Sequence, residues 1–148
     1  MTAPDTPQTQ LPALPALADF PFPTALVVTG APAPDDGVLY ESGDVDEIFP
    51  FASVTKPIVA WSALVAVDRG LLDLDAPAGA PAPDGATIGH LLSHSSGIAA
   101  DSDERLATPG TRRIYSNRGI EILGERLQEA TGTPLETWVE STVLEPLG

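Results

Sequence analysis

The sequence predicts an α+β fold in which two N-terminal antiparallel strands precede a helical region. Two short apolar, β-branched runs flank a segment rich in Pro and Asp. Apolar residues then recur at helical spacing through much of the remaining chain. A length of 148 residues, with 43% hydrophobic and 19% charged residues, is typical of one globular domain with a single core.

The two predicted strands lie in the first third of the chain. Ala25–Thr29 and Val38–Tyr40 are short apolar segments rich in β-branched residues, as strands usually are. Residues 31–37 predict the turn that pairs these strands antiparallel, and the acidic residues 41–47 predict an exposed loop. Because an isolated two-stranded hairpin is marginal in water, we expect this hairpin to belong to a larger sheet that the chain does not complete.

The N-terminal residues indicate whether this segment is ordered and where in the cell the protein is located. Residues 1–23 are rich in proline and predict an extended, poorly ordered leader, which leaves 24–148 as the predicted domain. No Lys or Arg precedes Lys56, so the basic region of a signal peptide is missing. Prolines interrupt the apolar segment 11–22, which predicts neither a signal sequence nor a membrane helix. We therefore expect a cytoplasmic protein.

The first predicted helix runs from Ser53 to about Gly70, where a glycine would end it. Pro57 is compatible with the first turn, because an N–H group there would have no intrahelical partner. The helix has almost no charge between Lys56 and Asp68. We therefore expect it to be buried on most of its sides.

Three further helices are predicted after this one. Thr87 is a candidate N-cap for a short helix that ends near Ser93, and residues 99–113 predict a polar loop. Asn117 is expected to cap a helix that Gly132 ends. The segment Thr133–Glu136 has the pattern of a capping box with Pro at the first helical position, so another helix should follow at once.

Ser53 and Lys56 form an S-x-x-K motif at the start of the first predicted helix, which places both side chains on one face. A serine hydroxyl becomes a good nucleophile when a neighbouring base removes its proton. A lysine can be that base when an apolar site disfavours its charged form. We expect the nearby apolar side chains to supply that site, namely Phe49, Phe51, Ile58 and Trp61.

The same spacing also arises by chance, and simple helix capping is then the explanation for Ser53. One feature of the composition favours a catalytic role for Lys56. Lys56 is the sole lysine, and six arginines carry the rest of the positive charge. Because a guanidinium keeps its proton whereas an ammonium can lose it, a single lysine indicates a role that arginine could not fill.

Tyr115 and Asn117 form a second cluster, and Asn117 is the sole asparagine. A tyrosine near cations can relay a proton, because its phenolate then costs less. The Asn117 amide could hydrogen-bond both Lys56 and a substrate. Taken without the S-x-x-K motif, the two residues are better explained by packing for Tyr115 and capping for Asn117.

The two clusters together, in this order and separation, resemble the serine β-lactamase and penicillin-binding-protein superfamily. The resemblance is to the branch that contains class C β-lactamases, D-alanyl-D-alanine carboxypeptidases and related esterases, and it covers nearly all of residues 25–148. It implies a β-lactamase/transpeptidase-like fold. The segments that carry it are S-V-T-K at Ser53–Lys56, Y-S-N at Tyr115–Asn117, Gly70–Pro77, Ile88–Gly97 and Glu145–Gly148. Of these, Ile88–Gly97 is similar to the family's LLTHTSG segment.

The resemblance also implies roles for individual residues. Ser53 would be acylated, Lys56 would act as base, Tyr115 would shuttle the proton, and Asn117 would help to bind the substrate. His94 matches a histidine that is structural in the family. His90 and His94 have the His-x-x-x-His spacing of a metal pair, but the Glu of a zinc-protease motif is missing. We therefore expect no metal. The resemblance implies no cofactor.

The sequence departs from the family in one respect. No K-T-G or H-x-G triad follows the helices, although this element belongs to the substrate site of family members. We therefore expect a chain that is truncated before the remaining strands, with impaired turnover and with exposed apolar surface available for association. The alternatives are a non-catalytic binding module and one half of a split enzyme.

The net charge of the chain limits the classes of binding partner that we expect. The chain has 21 Asp and Glu against 7 Lys and Arg, a formal net charge of −14. Phosphate backbones and anionic lipids would repel it, so nucleic acid and membrane are unexpected partners. The expected partner is a small-molecule ester, amide or β-lactam substrate.

Overall fold

The structure is a computed structural model that describes residues 19–30 and 38–148. The chain divides into two compact units, residues 1–50 and residues 51–148. The predicted turn over 31–37 and most of the predicted leader over 1–23 lie outside the described residues. Among the described residues, no helix is long and apolar enough to span a bilayer.

The N-terminal unit contains an antiparallel hairpin of β1 (Ala25–Thr29) and β2 (Val38–Gly43). The pairing runs from Ala25 opposite Gly43 to Thr29 opposite Val38, with an irregularity at the end of β1. Both strands were predicted, but β2 extends three residues into the expected acidic loop. Backbone pairing with β1 outweighs the low strand propensity of those polar residues, because propensity in strands depends strongly on the partner.

The C-terminal unit is helical. A 3₁₀ turn at Ala52–Val54 leads directly into α1 (Thr55–Asp68). The other helices follow in the order α2 (Ile88–Leu92), α3 (Asn117–Thr131) and α4 (Leu135–Val139), then a π-helical turn at Glu140–Leu144 and α5 (Glu145–Leu147).

The core of this unit forms where α1, α2, α3 and α4 meet. Small residues on α1, such as Ala63 and Ala66, let the larger side chains of α3 approach closely, because a short side chain leaves room for a neighbouring helix. Trp138 is only 7% exposed and its indole N–H donates to the Ser62 carbonyl over 3.0 Å. The fully buried large residues are Ile88, Leu91, Ile98, Ile122, Leu123 and Leu127.

The expectation that α1 is buried on most sides is wrong for this chain. Val54, Trp61 and Leu64 are 57%, 62% and 45% exposed. Together with Pro57 they lie at helical spacing along one side of α1, and we name these four residues the exposed stripe. The described helices cover only the opposite side, where Val59 and Ala63 are buried.

The helix caps differ in part from prediction. Thr87 caps α2 as expected, in a capping box with His90. Asn117 was predicted to cap α3, but the cap is Ser116, whose hydroxyl accepts the Gly119 N–H over 2.8 Å. The segment Thr133–Glu136 does not form the predicted capping box. Its cap residue is Pro134, which has no side-chain acceptor.

Candidate active site

Ser53 and Lys56 are brought together by local helical geometry. Ser53 lies in the 3₁₀ turn and Lys56 in the first turn of α1, so their side chains project from the same side. Lys56 Nζ donates to Ser53 Oγ over 3.0 Å. A neutral amine in this position could accept the serine proton, as the S-x-x-K spacing predicts.

The backbone just before Ser53 is strained. Ala52 has φ of +46°, in the left-handed region that a residue with a Cβ rarely adopts. Such a conformation costs roughly 1–2 kcal/mol and clusters at functional sites in proteins. The sharp turn at Ala52 sets the direction from which the Ser53 side chain leaves the backbone.

Tyr115 comes from a distant part of the chain and reaches the same point. The Lys56 ammonium nitrogen lies 4.9 Å from the centroid of its ring. Hydrogen bonds from Ser53 and then from Lys56 lower the pKa of the Tyr115 phenol below its ordinary value, and the charges of Lys56 and Arg113 add to this effect. The phenolate, which is the form that can accept a proton from Ser53, is therefore more populated at a given pH than in an isolated tyrosine.

His94 lies against Tyr115. The two ring centroids are 4.8 Å apart, with the planes tilted by 39°. Burial lowers the pKa of His94 most, followed by the charges of Arg113 and Lys56. These surroundings thus favour the neutral form of the imidazole next to the tyrosine.

These side chains line a cavity of about 210 Å³. Its polar wall is Ser53, Lys56, His94 and Tyr115. Its apolar wall, which neither sequence motif indicates, is Pro57, Ala60, Leu92 and Ile120. The helical period of α1 was the available signal for part of this wall, because Pro57 and Ala60 lie next to the Ser53 and Lys56 positions along one face.

Asn117 does not line this cavity. Its amide donates to Asp101 over 2.5 Å, in place of the expected hydrogen bond to Lys56. The neighbouring Arg118 bonds Asp103 over 2.6 Å and also contacts Glu125. Both residues therefore fasten the polar loop to the start of α3, because the acidic side chains of that loop are the nearest hydrogen-bond acceptors.

The apolar side chains predicted to surround Lys56 are not the ones that line its cavity. Phe51 and Trp61 are 60% and 62% exposed, and neither lines the cavity. His90, the other histidine, has its Nδ1 bonded to the Thr87 N–H over 3.1 Å. Among the described residues, no three His, Asp or Glu side chains are grouped as metal ligands.

Comparison with known proteins gives the relatives of this chain. The beta-lactamase family model matches residues 30–148. Esterase EstB of Burkholderia gladioli is 36% identical, across 70% of this chain and 37% of that protein. Penicillin-binding protein 4 of Amycolatopsis lactamdurans is 32% identical, across 76% of this chain and 38% of that protein.

Solved structures give the same result. A beta-lactamase from Mycobacterium bovis superposes with a TM-score of 0.77 and 46% identity, over 90% of this chain and 47% of that one. The octameric penicillin-binding protein homologue from Pyrococcus abyssi has a TM-score of 0.70 and 25% identity, over 84% of this chain and 38% of that one.

This chain thus spans little more than a third of the length of the curated relatives it matches. The predicted fold class and the predicted resemblance are both confirmed. Because the family model matches most of its residues, the chain belongs to the beta-lactamase family and has the β-lactamase/transpeptidase-like fold.

Proposed function

We propose that this protein is a serine hydrolase that works through an acyl-enzyme on Ser53, with a small-molecule ester, amide or β-lactam as substrate. The observation that carries the proposal is the hydrogen bond from Lys56 Nζ to Ser53 Oγ, 3.0 Å long, beside the Tyr115 phenol. Relatives named as an esterase and as a penicillin-binding protein support the reaction class.

The proposed reaction begins with attack of Ser53 Oγ on the substrate carbonyl carbon. The serine proton passes to the Tyr115–Lys56 pair as the new carbon–oxygen bond forms. The tetrahedral intermediate then collapses, the bond to the leaving group breaks, and the pair returns the proton to that group. Water repeats the sequence on the acyl-enzyme, which releases the acid and restores the Ser53 hydroxyl.

Within the pair, the two side chains have different roles. Tyr115 accepts the proton as its phenolate, a form that hydrogen bonds from Ser53 and Lys56 favour by holding the pKa below its ordinary value. Lys56 stabilises the phenolate with its positive charge above the ring and its contact with Ser53. The acyl group would lie in the cavity of about 210 Å³ that Ser53 lines.

The proposal is tested by exposing the protein to a fluorophosphonate, which phosphonylates activated serines. Intact mass and peptide digestion should place one adduct on Ser53. Ser53→Ala should abolish the adduct and Lys56→Ala should slow its formation. Ser102→Ala, which changes an exposed serine on the polar loop, is the matched control and should leave the rate unchanged. A folded protein that forms no adduct would overturn the proposal.

The exposed stripe favours a second candidate, in which this chain is a binding module or one half of a split enzyme. Val54, Trp61 and Leu64 are exposed together along one side of α1, and a continuous apolar surface of this kind is typical of a contact face. The other polypeptide would supply the strands that cover it. Mixing the chain with the unmatched part of the Mycobacterium bovis relative should then raise ester hydrolysis, and an unchanged rate would count against this candidate.

A further inference from the structure

His94 is fixed to the backbone on both sides of Tyr115. Its carbonyl accepts the Ile114 N–H over 2.7 Å, and its Nδ1 accepts the Ser116 N–H over 3.2 Å. Tyr115 is the residue between these two bonds, and its ring lies on the His94 ring. A single residue thus fixes the backbone that carries the phenol, through its carbonyl before Tyr115 and its imidazole after it, and the imidazole also supports the phenol ring.

The same arrangement depends on the protonation state of His94. Nδ1 can accept the Ser116 N–H only when it carries no proton, so the neutral ring must hold its hydrogen on Nε2. The charged and titratable groups that act on the ring are Arg113, Lys56 and the Tyr115 phenol. Two of these are cations and none is a carboxylate, so a proton on His94 would be repelled and would break the bond to Ser116.

The backbone of His94 has an uncommon conformation, which indicates that the position of its ring against Tyr115 is specific. Its φ is +57°, a left-handed conformation that costs energy for a residue other than Gly. His94 is reached by a turn after α2, in which its N–H donates to the Leu91 carbonyl over 3.1 Å. The ring that leaves this turn lies against Tyr115.

We propose that His94 is a positioning residue: in its neutral form it holds the Tyr115 phenol against Ser53 and Lys56, and protonation of its ring releases that phenol. This inference rests on the proposed function, in which Tyr115 moves the proton of the nucleophile. Acylation should therefore fall on the acid side of neutrality, as His94 gains its proton.

The direction of the pH effect on stability follows from linkage. The folded protein binds a proton at His94 less readily than the unfolded chain, whose histidine has the ordinary pKa of 6.5. The contribution of neutral His94 to stability is complete above pH 6.5 and is lost as the pH falls through the lower pKa of the folded state. The rate of acylation should decrease as the pH falls through this same window, and we call this decrease the acid limb.

Two variants separate the parts of the proposal. His94→Asn keeps a hydrogen-bond acceptor, does not titrate and tolerates a positive φ. It should acylate within about three-fold of wild type at neutral pH and lose the acid limb. His94→Phe keeps a ring but removes the acceptor, and should acylate about ten-fold more slowly at every pH. Circular dichroism checks that each variant is folded.

His90→Asn is the matched control, because it removes the other histidine, whose bonds lie within α2 and its cap. It should keep the acid limb. An acid limb that persists in folded His94→Asn would overturn the inference, as would a wild-type rate in folded His94→Phe. If His94→Phe does not fold, the pH profile of His94→Asn decides alone.

A second measurement does not need turnover. Ultraviolet difference spectroscopy follows the Tyr115 phenol, with Tyr115→Phe as the blank that leaves the signal of Tyr40. The pKa of Tyr115 should rise toward 10 in His94→Phe and stay lowered in His94→Asn, since only the first frees the phenol. An unchanged pKa in His94→Phe would overturn the positioning role. Absence of any Ser53 acylation, with the expected shift present, would count against the proposed function alone.

Discussion

Lys56 Nζ donates to Ser53 Oγ over 3.0 Å, and this bond is formed by two residues three positions apart at the start of one helix. Backbone geometry therefore places the two side chains within reach of each other. The chain has no second lysine that could replace Lys56. The proton chemistry of the site thus depends on one ammonium group.

The first prediction concerns the kind of cation that the site needs. Lys56→Arg keeps the positive charge, but its planar head does not fit the Lys56 position, so the contacts with Ser53 and the Tyr115 ring are lost. Acylation of Ser53 should fall at least ~10²-fold, as it should in Lys56→Ala. Pre-steady-state acylation by a fluorophosphonate measures both. A wild-type rate in Lys56→Arg would show that positive charge alone is sufficient.

The second prediction concerns the Tyr115 phenol. Its pKa lies below 10 because Ser53 and Lys56 bond it, so Ser53→Ala and Lys56→Ala should each move the pKa back toward 10. In the window between the lowered pKa and pH 10 the unfolded chain holds more protons, so stability should rise with pH there. Difference spectroscopy gives the pKa, and a value unaffected by either substitution would contradict the geometry.

The third prediction separates two adjacent polar residues. Ser116 is buried, accepts the Gly119 N–H and donates to the Ala99 carbonyl over 2.6 Å. Ser116→Ala should cost about 1–2 kcal/mol of unfolding free energy. Asn117→Ala removes an exposed bond to Asp101 and should cost less than about 0.5 kcal/mol. Urea unfolding measures both, and the reverse order would place the cap at Asn117.

The fourth prediction uses two glycines with positive φ. A Cβ at Gly97, where φ is +84°, would collide with the Ala107 carbonyl oxygen, whereas nothing lies within 4 Å of a Cβ at Gly132, where φ is +66°. Gly97→Ala should therefore cost more than about 3 kcal/mol, and Gly132→Ala about 1 kcal/mol. Thermal unfolding compares them. Equal costs would mean that the backbone near Ala107 moves away at little expense.

The fifth prediction uses the two tryptophans. Trp61 is 62% exposed and Trp138 is 7% exposed. Trp61→Gln should change the unfolding free energy by less than about 0.5 kcal/mol and reduce self-association, because it removes apolar surface from the exposed stripe. Trp138→Phe should cost about 1–3 kcal/mol, because the bond to the Ser62 carbonyl is lost. Sedimentation velocity and urea unfolding provide the two readouts.

Several features of the site could be predicted because they are local. The Ser53–Lys56 contact follows from helical spacing, and Thr87 caps α2 where its side chain meets the next N–H groups. The cap of α3 was placed one residue too late, since Ser and Asn are equally good caps in isolation. The Ala99 carbonyl, which lies far away in sequence, decides in favour of Ser116 by accepting its hydroxyl. The predicted leader and the cytoplasmic location stay predictions.

By itself, the sequence determined the α+β class, the hairpin, the helix positions and the pairing of Ser53 with Lys56, because all of these depend on backbone period and short-range spacing. Only the tertiary structure decided that Tyr115 reaches Ser53, that His94 fixes Tyr115 from both sides, and that α1 keeps an exposed stripe. These features depend on which distant surfaces meet, and packing between separate segments is not encoded in the period of any one of them.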